Sequence, residues 1–191
     1  VAYHGFITSG GQKMSKSLGN VISPYDLVAR YGTDATRYIL LRHVPPFADA
    51  DLTFERMDEW YTANLVNGLG NLTARIMKMA QTHRDGPVQP PETNDVPSEY
   101  TEAVARLDLQ AACEHLWGRI GKLDERITET EPFRLVKTDK SAAQMIITEL
   151  AEELYCVARL LHPFMPETSR VIEAAVWANK KPDNLFTRLP E

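Results

Sequence analysis

The sequence predicts a mainly α-helical protein, a helical bundle preceded by a short β/loop segment and a helical connector. Three observations carry this. Between residues 53 and 82, Met57, Tyr61, Leu65, Leu69, Leu72, Ile76 and Met79 recur at threes and fours, the period of one helix face. Two further stripes follow, Leu109, Ala112, Leu116, Ile120, Leu123 and Ile127, then Met145, Leu150, Leu154, Val157 and Leu161. Proline falls outside the stripes, at Pro45-Pro46, Pro132 and Pro163, where it ends a helix without breaking one. One-sided stripes joined by short or proline-rich links bury most simply against each other, as a bundle.

The elements follow in order. Residues 1–7, with Tyr3, Phe6 and Ile7, predict a short strand that meets the turn signal Ser9-Gly10-Gly11 and enters a hairpin. Residues 12–20 (QKMSKSLGN) hold too few large apolar side chains for a buried element and predict an exposed, mobile loop. Ser23-Pro24 supplies an N-cap and a first-turn proline, and Gly32 stops that helix after Tyr31. Thr33-Asp34 is expected to cap a second helix that runs to Val44. Thr53 opens a third helix, of roughly 40 Å at 1.5 Å per residue. Residues 84–97 carry four prolines and predict a loop. A second long helix closes at Pro132, a turn spans 133–137, and Asp139 caps a third long helix. A shorter one from Glu167 to Trp177 follows, with Leu185, Phe186 and Leu189 of the tail docking back. The strand and first loop do not belong to the bundle; they suggest the last piece of a preceding α/β domain.

The 191 residues are 43% hydrophobic and 25% charged, with mean hydropathy -0.31, which describes a globular chain with room for a real core. No apolar run reaches membrane length, and Val1-Ala2-Tyr3-His4 is neither an initiator nor a signal pattern, so the chain is expected to be part of a longer one. Net charge is -5, split as +2 over residues 1–50 and -7 over 51–191. An acidic bundle is a poor general coat for nucleic acid, which is held by counterion release, but it leaves room for a local basic site. Cys113 and Cys156 make neither a disulfide framework nor a zinc knuckle, and the cytoplasm is the default compartment. No pair among His4, His43, His83, His115 and His162 has metal-ligand spacing, and no bound metal is expected.

The loop at 10–20 is the chemically richest stretch. Lys13 and Lys16 alternate with Ser15 and Ser17 on a backbone freed by Gly10, Gly11 and Gly19. Ammonium and hydroxyl groups so placed can follow a moving phosphate. In the long helix Asn71 and Arg75 are one turn apart, on one face beside the apolar stripe. Trp60, Trp117 and Trp177 default to packing, with Trp117 the most exposed to a functional role by its place on the helix before Pro132.

Lys13-Met14-Ser15-Lys16-Ser17 reads KMSKS and continues through Leu18-Gly19-Asn20, a run that resembles the signature loop of class I aminoacyl-tRNA synthetases. The flanks His4-Gly5-Phe6, Asp34-Ala35-Thr36-Arg37-Tyr38 and Gly70-Asn71-Leu72-Thr73-Ala74-Arg75 look most like the methionyl-tRNA synthetase family. Cysteinyl, leucyl and valyl enzymes are weaker matches. The resemblance implies a division into residues 1–50, the end of a catalytic domain with the KMSKS loop and helical connector, and 51–191, an α-helical anticodon-binding domain. It implies that Met14, Ser15 and Ser17 shape an ATP-binding loop in which Lys16 is the main catalytic lysine and Lys13 its helper. It further implies ATP with Mg2+, methionine and tRNA(Met) as partners, Asn71 and Arg75 as anticodon readers, and no membrane. Where the family has a proline followed by a stacking tryptophan, this chain has Pro132-Phe133; phenylalanine stacks but lacks the indole N–H. The His-x-Gly-His signature and the methionine pocket are absent from these residues, so the chain by itself is expected to be inactive. The alternative is a free-standing helical tRNA-binding or scaffold module that keeps the loop without using it. Oligomeric state is not legible.

Overall fold

A computed structural model describes residues 5–89 and 96–190. Strand β1 (Ile7–Ser9) turns through Gly10-Gly11 into β2 (Gln12–Lys13), with Thr8 opposite Lys13 and Ser9 opposite Gln12. Both glycines have positive φ, +62° and +73°, as a two-residue hairpin turn of the primed kind requires. Of the expected strand over 1–7, Ile7 falls in β1 while Gly5 and Phe6 precede it; residues 1–4, with His4, lie outside the described part. Residues 12–20 are exposed as expected but not irregular. Their first two residues are β2, and Lys16–Leu18 form a single 3₁₀ turn closed by Gly19 at φ +66°. A third strand, β3 (Ala50–Asp51), pairs parallel to β1 and had no sequence signal beyond its two residues. Gly5 lets this segment approach: a Cβ there would sit 2.0 Å from the Ala48 carbonyl oxygen.

The connector comprises α1 (Pro24–Tyr31) and α2 (Thr33–His43). Ser23 caps α1 as expected, accepting from the Tyr25 N–H. The expected cap of α2 is not made by Thr33 or Asp34, which lie inside its first turn after Gly32. Asp34 instead reaches across the chain and accepts from the Thr168 N–H at 2.6 Å.

The long helix opens at Thr53, whose hydroxyl accepts from the Arg56 N–H. It comprises α3 (Phe54–Trp60), a π-helical stretch (Tyr61–Gly70) and α4 (Asn71–His83). The wide winding in its middle was not legible, because Tyr61, Leu65, Leu69 and Leu72 keep a buried stripe through it. Gly70 makes room there, since a Cβ would meet the Leu65 carbonyl oxygen at 2.9 Å and the Phe186 ring at 3.2 Å. Helix α5 (Ser98–Ala105) was also missed; Leu107, at φ +59°, separates it from α6 (Leu109–Thr130), which Asp108 caps. The turn after Pro132 is the short α7 (Pro132–Leu135), and Asp139 caps α8 (Lys140–Leu161) as expected. Met145 faces solvent at 60% exposure, and Ala143 and Ile147 take the buried positions instead.

Helix α9 (Pro166–Trp177) packs along α8. In the tail Phe186 packs edge-on against Tyr61, with Leu185 and Leu189 partly buried beside the core, as expected. The core runs continuously from Leu27 and Tyr38 of the connector through Leu65, Ile76, Leu116 and Ile147 to Ile172. Connector and bundle therefore share one apolar interior. Polar ties reinforce it: Arg37 donates to the carbonyls of Pro163 and Phe164, and Arg30 is bidentate to Asp58 at 2.8 and 2.5 Å.

Candidate functional site

The hairpin carries the first site. Asp51, on β3, accepts from the Gly11 N–H at 2.7 Å and the Thr8 hydroxyl at 2.9 Å, which ties the hairpin tip to the neighbouring strand. Those bonds, led by the one from Gly11, hold its carboxyl below the ordinary range. Beyond Lys13 the chain closes on itself. The Asn20 side chain accepts from the Ser15 N–H at 2.8 Å and donates to the Lys13 carbonyl at 3.3 Å. Ser15 and Ser17 share a hydroxyl hydrogen bond of 2.8 Å. Lys13 and Lys16 emerge from this frame exposed, and among the described residues no carboxylate forms an ion pair with either. Beside them lies an open cleft of about 380 Å³ bounded by Phe6, Thr8, Lys13, Met14 and Asp49. The result is positive charge on an internally hydrogen-bonded loop facing solvent, an arrangement suited to polyanionic oxygens.

The second site lies between the long helix and α6. A cleft of about 250 Å³ is lined from one side by Asn64, Asn67, Asn71 and Arg75, and from the other by Trp117, Gly121 and Asp124. The structure thus brings the two sequence-flagged residues, Asn71 and Arg75, into one wall. Asn64 and Asn67, which sequence reasoning passed over, join them through the π-helical stretch. Arg75 is ion-paired with Asp124. Trp117 is both packed and cleft-lining: its ring stacks on Tyr38 at 4.5 Å, the Arg42 guanidinium lies 4.7 Å above it, and its buried Nε1 has no partner among the described residues.

Phe133 does not line this cleft. It sits on α7, past the end of α6, which lies about 9 Å beyond Asp124 at 1.5 Å per residue. Its ring is 44% exposed, with the Arg134 guanidinium 5.7 Å from its centre, so it is not a packed core residue. Trp60 packs as expected, stacked on His43 at 3.9 Å, but Trp177 is half exposed. Cys113 is buried and its thiol is pushed up to about 12, chiefly by desolvation. Among the described residues no three His, Cys, Asp or Glu side chains converge as metal ligands, and no helix is long and apolar enough to cross a membrane.

A family model for class I tRNA synthetases (M) matches residues 1–77, the hairpin, the connector and the long helix as far as Met77. Over 89% of its length the chain is 34% identical to a methionine–tRNA ligase of Clostridium acetobutylicum, of which it covers 29%. A ligase of the same name from Listeria monocytogenes is 36% identical over 86% of the chain, which covers 27% of it. A Mycobacterium tuberculosis methionyl-tRNA synthetase, solved in complex with methionyl-adenylate, has a TM-score of 0.73 at 31% identity. That match takes in 88% of this chain and 36% of that one. Over the matched residues the chain is similar to methionyl-tRNA synthetases. It spans less than a third of the length of these curated relatives.

Proposed function

We propose that this chain is the part of a methionine–tRNA ligase that carries the ATP-closing loop and the anticodon-reading bundle, divided as residues 1–50 and 51–191. The complete protein joins methionine to tRNA(Met) at the expense of ATP, with Mg2+ accompanying the nucleotide phosphates, in the cytoplasm where translation takes place. The observation that carries the proposal is the pair of exposed ammonium groups, Lys13 and Lys16, on a loop stiffened by Asn20 and by the hairpin. As the methionine carboxylate attacks the α-phosphate of ATP, charge builds on the departing pyrophosphate. Fixed positive charge aimed at those oxygens lowers the barrier without reorganising at the moment of reaction. Lys16, the first residue of the 3₁₀ turn, is the principal group and Lys13 its helper; Met14, Ser15 and Ser17 set the shape of the loop.

The similarity to methionyl-tRNA synthetases and the cleft support the tRNA half of the proposal. Asn71 and Arg75 offer amide and guanidinium edges to unstacked anticodon bases, the edge recognition that single-stranded RNA permits. Phe133 offers an exposed ring for stacking, which is worth ~1 to 3 kcal/mol per base. Methionine-dependent ATP–pyrophosphate exchange in the complete protein tests the catalytic part. Lys16→Ala is expected to lower the rate by about 10² to 10³, the scale of removing one transition-state electrostatic contact, and Lys13→Ala by less. An unchanged rate in Lys16→Ala would remove the assigned role.

A further inference from the structure

Arg75 and Asp124 face each other across the cleft, one from α4 and one from α6, with side chains 38% and 55% exposed. An ion pair that open to water contributes little to stability, so holding the fold together does not account for it. Its effect on the chemistry of the cleft is larger. A free guanidinium is drawn to any phosphate along an RNA strand, and that attraction carries no sequence information. Beside a carboxylate its charge is offset within the pair, yet only Nη1 is committed to Asp124. The remaining N–H groups stay in one plane, as donors for the edge of a base. The neighbours are of the same kind, since Asn64, Asn67 and Asn71 are neutral amides. Residues 51–191 carry -7, which works against indiscriminate attraction of RNA.

Building on the anticodon-reading proposal, we infer that Asp124 is a specificity-determining residue. It orients Arg75 and offsets its charge, so that the guanidinium reads a base edge in preference to a phosphate. The test is binding of a methionine tRNA transcript and an anticodon-altered transcript to the complete protein over a series of salt concentrations. Asp124→Asn keeps the shape of the side chain and frees the charge on Arg75. Affinity for the altered transcript is expected to rise, discrimination between the two to fall by about tenfold, and the salt slope to steepen by about 0.7, the value of one added single-strand phosphate contact. Asp124→Glu is expected to restore both. Discrimination and slope equal to those of the unsubstituted protein would overturn the inference, as would an equal loss of affinity for both transcripts. Arg75→Ala separates the two levels. If it leaves discrimination intact, the anticodon proposal itself falls; if it abolishes discrimination while Asp124→Asn changes nothing, only the role of Asp124 falls.

Discussion

Asp51 joins β3 to the tip of the hairpin that leads into the lysine loop, through the Gly11 N–H and the Thr8 hydroxyl. Because these bonds depress its folded-state pKa, its contribution is complete above the ordinary value of 3.8 and is lost as pH falls through the lower folded value. The Gly11 amide proton is therefore expected to shift, by NMR, along a titration lying below pH ~4. Asp51→Asn is expected to abolish that titration; a Gly11 shift that still follows a carboxylate in the variant would contradict the tie. At this scale the lysines, Asn71 and Arg75 were legible, because a contiguous motif and a one-turn spacing are properties of local sequence. Asp51, Asp34 and Asp124 were not. Their partners lie 40, 134 and 49 residues away, and a carboxylate on a strand or helix reads as solvated until the fold brings its partner.

Among the elements, α9 begins without a cap of its own, since Met165 precedes Pro166 and offers no side-chain acceptor. Asp34 of α2 fills that position from another helix. Asp34→Ala is expected to cost about 1 kcal/mol and to lower the melting temperature by about 2 to 4 °C for a chain of this size. An unchanged melt would mean that the bond carries no weight. Helix α6 shows the opposite situation at Gly121, where a built Cβ would meet nothing within 4 Å. Packing does not require glycine there, and glycine inside a helix costs roughly 0.5 to 1 kcal/mol relative to alanine. Gly121→Ala is expected to raise the melting temperature while narrowing the cleft that Gly121 lines; a lowered one would show hidden crowding. Most helices were legible because stripe, cap and proline agreed with one another. The π-helical stretch was not, since its apolar spacing also satisfies an ordinary helix. Helix α5 was hidden by its shortness and its closeness to α6.

Across the whole molecule, the connector is joined to the bundle through stacked aromatic groups. His43, stacked on Trp60, has its pKa lowered to about 4 by burial and then by Arg42. The unfolded chain binds a proton near 6.5 that the folded chain refuses until about pH 4, so stability is expected to fall as pH drops through that window. Thermal melts at pH 7, 5.5 and 4.5 follow it, and His43→Gln is expected to flatten the decline. Trp117, stacked on Tyr38, places the cleft between the long helix and α6 against the same connector. Two separable sites on one framework are therefore proposed, with the lysine loop serving adenylation and the cleft serving tRNA. The most direct test is to follow methionine-dependent pyrophosphate exchange and tRNA charging side by side in the complete protein. Lys16→Ala is expected to lose both, whereas Arg75→Ala keeps exchange and loses charging of tRNA(Met). Charging that survives Arg75→Ala undiminished, or exchange that survives Lys16→Ala, would contradict the assignment.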